Sequence, residues 1–175
     1  MKTKIFALLS LSILLFSCGG SDEEIIPDEP VGKSTTVITG AISTTLEYEA
    51  EFFGGISTAD PGNSSIILNF GNIGQTESAV IFNLIEAGNK LGFAPGTFNY
   101  SNDPDPDIIF FGYYIDANDS YSINPDAGAV NKLVIKTITD TKITGEIELN
   151  LEAGIDGAKI KLVGTFEAIG EIFRL

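Results

Sequence analysis

This 175-residue chain has no histidine or tryptophan and only one cysteine, and each of these scarcities bears on the chemistry that is open to it. There is no histidine, so no imidazole can act as a catalytic base, an acid or a metal ligand. There is no tryptophan, which weakens any interpretation as an aromatic platform for glycans. The only cysteine is Cys18, so the rest of the chain has no thiol nucleophile, intrachain disulfide or thiolate metal site.

Basic residues are also scarce, with 10 Lys and Arg against 24 Asp and Glu, which gives a formal net charge of −14. A surface of this sign repels the phosphates of nucleic acids and the headgroups of anionic lipids. The balance of charge therefore argues against any nucleic-acid partner, and it favours the attraction of cations.

The N-terminal segment has the proportions of a secretory signal. Two lysines precede an apolar run at 5–16 that only two serines interrupt. Twelve residues are too few to cross a bilayer comfortably, but they suit the hydrophobic part of a signal peptide. The run ends at Leu15-Phe16-Ser17-Cys18, which resembles a bacterial lipobox. The alternative is an ordinary signal peptide followed by an incidental cysteine.

The lipobox resemblance implies that residues 1–17 are removed and that a diacylglycerol is attached to the sulfur of Cys18. The new amine of Cys18 would then also be acylated, and two or three acyl chains hold a protein at a membrane firmly. Cleavage also removes both lysines of the signal, so 8 basic and 24 acidic residues remain, a side-chain charge of −16.

Residues 18–33 combine the modified cysteine with glycines, prolines and a cluster of acidic residues. This composition predicts an acidic, flexible tether. A short serine-plus-acid cluster after the cysteine is similar to the export signal of surface lipoproteins in the Bacteroidetes. We therefore expect an outer-membrane lipoprotein that faces the cell exterior, with the periplasmic face of that membrane as the alternative.

Residues 34–175 alternate between apolar and polar side chains with a period of two, which is typical of half-buried strands. Thr139 to Lys142 and Gly154 to Gly157 are turn sequences between such strands. We predict one all-β domain, an antiparallel sandwich or barrel of about 8–10 strands, which ends in a three-strand meander. The segment 78–91 suits either a strand or a short helix, and its β-branched residues favour a strand.

Roughly the second half of the chain resembles Bacteroidetes (flavobacterial-type) lipoprotein domains of uncharacterised function. The likeness rests on residues 94–100, Ala-Pro-Gly-Thr-Phe-Asn-Tyr, and on the meander strands at 132–135, 143–147 and 163–166. It implies a small β fold. It carries over no functional residue, because the shared features are structural.

The densest acidic cluster is a candidate cation site. Asp103, Asp105 and Asp107 are two residues apart, a spacing that Ca²⁺ loops often use, and Asp116 and Asp119 would close the site from one strand away. The pattern lacks the glycine and the distal glutamate of a full Ca²⁺ loop, and its prolines favour extended backbone. The alternative is an acidic, solvated turn. Apart from this ion and the acyl anchor, we expect no cofactor.

The most aromatic segment, 108–115, is apolar on both sides of the predicted strand. One side must pack on the core, while the other is covered by a second layer or forms an exposed surface for a ligand. Gly112 would leave a gap between the rings, large enough for a flat chemical group. The candidate ligand residues are Phe110, Phe111, Tyr113 and Tyr114.

The sequence leaves two classes of function open. The first is a non-catalytic binding or assembly module, held at the membrane by its lipid anchor and directed at a glycan or a surface protein. The alternative is a surface hydrolase without histidine that acts through carboxylates such as Glu47, Glu49 and Glu51. These three would share one solvated strand face, so nothing separates their pKa values into an acid and a base, and we predict no enzymatic activity.

Overall fold

The computed structural model describes residues 30–57, 63–71, 77–87, 93–101, 107–124 and 129–174. These residues form ten strands and no helix, so the prediction of an all-β fold with 8–10 strands is confirmed. No helix long and apolar enough to cross a membrane occurs in these ranges. The strands are β1 (Lys33–Gly40), β2 (Thr44–Ile56), β3 (Asn63–Phe70), β4 (Ser78–Ala87), β5 (Gly96–Asn99), β6 (Ile108–Asp116), β7 (Ser120–Ile123), β8 (Lys132–Ile138), β9 (Lys142–Ala153) and β10 (Lys159–Arg174).

Of the two predicted architectures, the structure has the barrel. Strands β1, β2, β3, β4, β6, β7, β9 and β10 close into a ring, and β8 and β5 extend the sheet from β9. The pairings are antiparallel except for one: the last part of β10 runs parallel to β2, from Ile169 opposite Glu51 to Arg174 opposite Ile56. Strand β1 lies between the first halves of β2 and β10 and pairs with both. The ring closes where β1 begins.

The predicted C-terminal meander is present as β8, β9 and β10. The Oγ1 atom of Thr139 accepts a hydrogen bond from the backbone N–H of Lys142 at 3.0 Å and thereby fixes the first turn. In the second turn Gly157 adopts a positive φ of 71°, which glycine allows at little cost. The ambiguous segment is a strand over its described part, 78–87.

Most inward side chains of the barrel form one apolar core, although Glu86 on β4 is also buried there, with 1% of its surface exposed. Phe70 is central to this core, because its ring lies 5.5 Å from the ring of Phe82 and 5.1 Å from that of Phe166. Phe82 in turn stacks on Phe110 at 6.2 Å. Aliphatic side chains from β3, β4, β8, β9 and β10 fill the space around these rings. Since the described interior is occupied in this way, binding groups are to be sought on the outer wall.

Candidate functional site

Strand β6 divides the four candidate ligand residues into two pairs. Phe110 and Tyr114 point into the core, where each is 3% exposed. Phe111 points outward and is 45% exposed, and Tyr113 lies on the same side, half-buried. The side with Ile109, Phe111, Tyr113 and Ile115 is therefore the one that no second layer of described residues covers.

The gap predicted beside Gly112 is filled by the core. Gly112 is buried and lies opposite Phe82 in the register of β4 and β6. A Cβ atom on Gly112 would be 3.1 Å from Cδ1 of Leu149 and 3.5 Å from the Phe82 ring. No flat ligand can enter there, because protein atoms already occupy the space.

The outward side of β6 continues as an uncharged surface over the neighbouring strands. One row across the sheet pairs Phe111 with Asn83, Asn83 with Ile67, and Ile67 with Phe53. Phe53 is 53% and Ile67 37% exposed. We name this surface the apolar face; it consists of Phe53, Ile67, Ile81, Asn83, Ile85, Ile109, Phe111, Tyr113 and Ile115.

Asn83 is the polar group near the middle of the apolar face. Its Oδ1 atom is buried and has no hydrogen-bond partner among the described residues. A buried acceptor without a donor is unfavourable in free energy. The apolar face therefore has an acceptor that the described residues leave unsatisfied and screen from solvent, and the hydroxyl of Tyr113 is a second polar group on the same side of the sheet.

The opposite wall of the barrel, formed by β8, β9, β10 and β1, is charged. Glu148 lies between two lysines, at 2.9 Å from Lys132 and 2.8 Å from Lys161. Hydrogen bonds from Lys161 and then Lys132 hold the pKa of the Glu148 carboxyl below its usual value. Beside these residues is an open groove of about 410 Å³, whose lining includes Val37 and Val163.

Neither Glu148 nor the row Glu47, Glu49 and Glu51 has the arrangement of a hydrolase's acid and base. A general acid must be protonated near the working pH, and the lowered pKa of Glu148 keeps that group ionised. Glu47, Glu49 and Glu51 are all exposed on the outward side of β2. Glu47 pairs across the sheet with Thr35, and Glu49 with Lys33, in the same wall of the barrel. This placement gives them a common solvated environment.

The structure separates the two parts of the candidate cation site. Asp103 and Asp105 lie outside the described residues. Asp107 immediately precedes β6 and Asp116 ends it, so these two are about 30 Å apart at a rise of roughly 3.3 Å per residue. They cannot hold one ion together. Within the described ranges, no three acidic residues are placed to bind a metal.

Asp116 and Asp119 stabilise the turn between β6 and β7 instead. The Oδ1 atom of Asp116 accepts hydrogen bonds from the backbone N–H groups of Asn118 at 2.7 Å and Asp119 at 2.9 Å. Oδ1 of Asp119 accepts the N–H of Ser120 at 2.7 Å. These contacts are those of turns built on aspartate side chains.

Sequence reasoning found only part of the apolar face. It identified Phe111 and Tyr113 but missed the contributions of β2, β3 and β4. The sequence did contain an indication for Phe53. On β2 the outward positions are Glu47, Glu49, Glu51 and then Phe53, so an aromatic residue stands where the alternation predicts another charged one. The predicted lipidation residue, Cys18, lies outside the described residues.

Comparison with known proteins identifies no relative: no protein-family model, curated protein or solved structure matches the chain.

Proposed function

We propose that the protein is a lipid-anchored outer-membrane lipoprotein, facing the cell exterior, whose barrel is a non-catalytic binding or assembly module. The lone cysteine at the end of the apolar N-terminal run supports the anchor. The apolar face supports the binding role, and it is the contact surface of the module.

The observation that carries the binding role is the separation of the outer wall into two kinds of surface. The outward positions of β3, β4 and β6 have no charged side chain, whereas β8, β9 and β10 have rows of lysine and glutamate. Apolar surface stabilises a contact by roughly 25 cal/mol for each Å² removed from water. Continuous exposed apolar patches on soluble proteins commonly mark interaction sites.

Single cysteines test the proposal on living cells, because Cys18 is the chain's only other cysteine. The variants are Phe111→Cys on the apolar face and Val163→Cys on the charged wall, where Val163 is 46% exposed and matches Phe111. Both are labelled with a maleimide that does not cross membranes, first on intact cells and then after purification in detergent.

We expect Val163→Cys to react on intact cells and Phe111→Cys to react there several-fold more slowly than after purification, because a bound surface covers it. Reaction of Val163→Cys only after permeabilisation of the outer membrane would place the protein on the periplasmic side. Equal rates for the two variants on cells would show that the apolar face is not a contact surface.

A further inference from the structure

We propose that the apolar face docks on the lipid surface to which Cys18 anchors the chain. This inference rests on the proposed function, since it names what the contact surface of the module contacts. The barrel then lies on the membrane with its apolar face down and its charged wall in water.

The point at which the chain enters the barrel supports this occupant. The backbone N–H of Ala50, on β2, donates a hydrogen bond of 3.1 Å to the carbonyl oxygen of Gly32. Phe53 is three residues further along β2, about 10 Å away by strand rise. Cys18 is twelve residues before Pro30, a length that spans at most about 40 Å when extended. An acylated Cys18 therefore holds the point of entry within about 40 Å of the bilayer, and the Phe53 edge is the part of the apolar face next to that point.

The distribution of charge selects the side of the barrel that can approach lipid. A mature chain with a side-chain charge of −16 gains nothing from bringing its carboxylates to a low-dielectric surface, because desolvating them is unfavourable. The apolar face contains no charged group, so its own side chains can be buried without that cost. Glu51 and Glu171 lie at its edge beside Phe53, where they would remain hydrated among the headgroups. Surfaces that lie in a membrane interface show the same division between an apolar side and a charged side.

The curvature of the barrel argues for a fluid occupant over a second copy of the chain. Phe53 and Phe111 are three strand intervals apart around the wall, which is about 14 Å at the usual strand spacing. Neighbouring strands of a closed barrel form a convex wall, and two convex walls touch only along a narrow strip. Lipid adapts to the convex shape and can contact both rings.

Docking in this orientation would also turn the groove beside Glu148 away from the membrane. Val37 and Val163 in that groove belong to β1 and β10, which are on the charged wall. The lysines around Glu148 would then face the medium, where soluble molecules can reach them.

The absence of tryptophan makes a direct test possible, because each Phe→Trp or Val→Trp variant has a single tryptophan, which can be excited selectively over the five tyrosines. Phe53→Trp and Phe111→Trp report on the apolar face. Val163→Trp is the control, with an exposed fraction of 46% against 45% for Phe111. The mature lipidated proteins are reconstituted into phosphatidylcholine vesicles with or without brominated acyl chains, which quench tryptophan on contact.

We expect brominated lipid to lower the emission of Phe53→Trp and Phe111→Trp by about twofold and to leave Val163→Trp unchanged, as for side chains inserted in the interface. Equal emission from all three variants would overturn the proposal. So would a blue shift of Phe111→Trp that depends on protein density and is not quenched, because it would show burial against a second copy.

The anchor and the docking can fail separately. Mass spectrometry of the mature N-terminus reports whether Cys18 is acylated, whatever the fluorescence shows. Acylated Cys18 without quenching would retain the anchor and overturn the docking. If Cys18 is not acylated, the Phe111→Trp protein added to preformed vesicles still tests the docking, and absence of quenching there would overturn it.

Discussion

Gly32 lies against the backbone of Ala50 so closely that a Cβ atom on Gly32 would be 2.0 Å from the Ala50 carbonyl oxygen. It would also be 2.7 Å from the carbonyl oxygen of Glu167. This is the place where β1 begins between β2 and β10. Gly170 is in a similar position on β10, where a Cβ would be 1.8 Å from the carbonyl oxygen of Phe52. Closure of the barrel therefore depends on glycine at two close approaches of backbone to backbone.

Gly32→Ala and Gly170→Ala should each lower the free energy of unfolding by about 2 kcal/mol or more, because the obstructing atoms belong to the backbone and cannot rotate away. Gly154→Ala is the control, since nothing lies within 4 Å of its Cβ position. Chemical denaturation followed by circular dichroism measures all three. If Gly32→Ala or Gly170→Ala is about as stable as Gly154→Ala, then barrel closure does not require glycine at that position.

The alternation of apolar and polar residues in the sequence correctly predicted, for most strand residues, whether the side chain points into the barrel or outward. Ile143, Ile147 and Leu149 are inward and Glu146 and Glu148 are outward, as the alternation in the sequence requires. It could not decide the two sides of β6, because both are apolar. That choice depends on the register with β4, which places Gly112 opposite the buried Phe82.

Two features depend on contacts between distant parts of the chain, and local pattern could not predict them. The parallel pairing of Ile169 with Glu51 joins the last strand to the second one. The apolar face arises only when Phe53, Ile67 and Phe111 are brought into one row by three successive pairings. Each residue alone is an ordinary exposed apolar side chain.

Phe110 and Phe111 are neighbours in sequence but should respond in opposite ways to truncation. Phe110→Ala should cost about 3–5 kcal/mol of unfolding free energy, because it leaves a cavity beside Phe82. Phe111→Ala should change stability by no more than about 0.5 kcal/mol, since its ring is on the surface. Denaturant melts of the two variants provide the measurement. Comparable losses would mean that β6 is shifted by one residue.

Glu148 should stabilise the fold in a pH-dependent way. Its pKa is lowered in the folded state, first by the hydrogen bond from Lys161 and next by that from Lys132. The folded state thus holds this proton less tightly than the unfolded chain. The stabilisation is complete above the unfolded pKa of about 4.3 and is lost as the pH falls through the lowered folded value.

Glu148→Gln should therefore lose about 1 kcal/mol at pH 7, a typical value for a good surface ion pair, and the difference from the unaltered protein should shrink in acid. Thermal melts between pH 7 and pH 2, repeated at high salt, measure this. Glu146→Gln is the control, because Glu146 pairs with the single, half-exposed Lys136. A deficit for Glu148→Gln that is the same at every pH would indicate lost packing instead of lost charge.

Tyr114 should determine part of the alkaline limit of stability. Burial raises the pKa of its phenol, a hydrogen bond with Ser78 lowers it, and the nearby charge of Asp116 raises it further. Burial also raises the pKa of Tyr121, whose ring lies 5.7 Å from that of Tyr114. With raised pKa values, the folded state holds these protons more tightly than the unfolded chain does.

The sign of the effect follows from that difference. The stabilisation is complete below the unfolded pKa of about 10 and is lost as the pH rises through the raised folded values. The double variant Tyr114→Phe, Tyr121→Phe should start lower at pH 8, by about 1 kcal/mol for the lost hydrogen bond between Tyr114 and Ser78, and should then lose less on going to pH 11. Lysine deprotonation contributes to the slope of the double variant and of the unaltered protein alike, so their comparison isolates the tyrosines. If melts from pH 8 to 11 give the double variant and the unaltered protein the same slope, burial of these phenols does not limit alkaline stability.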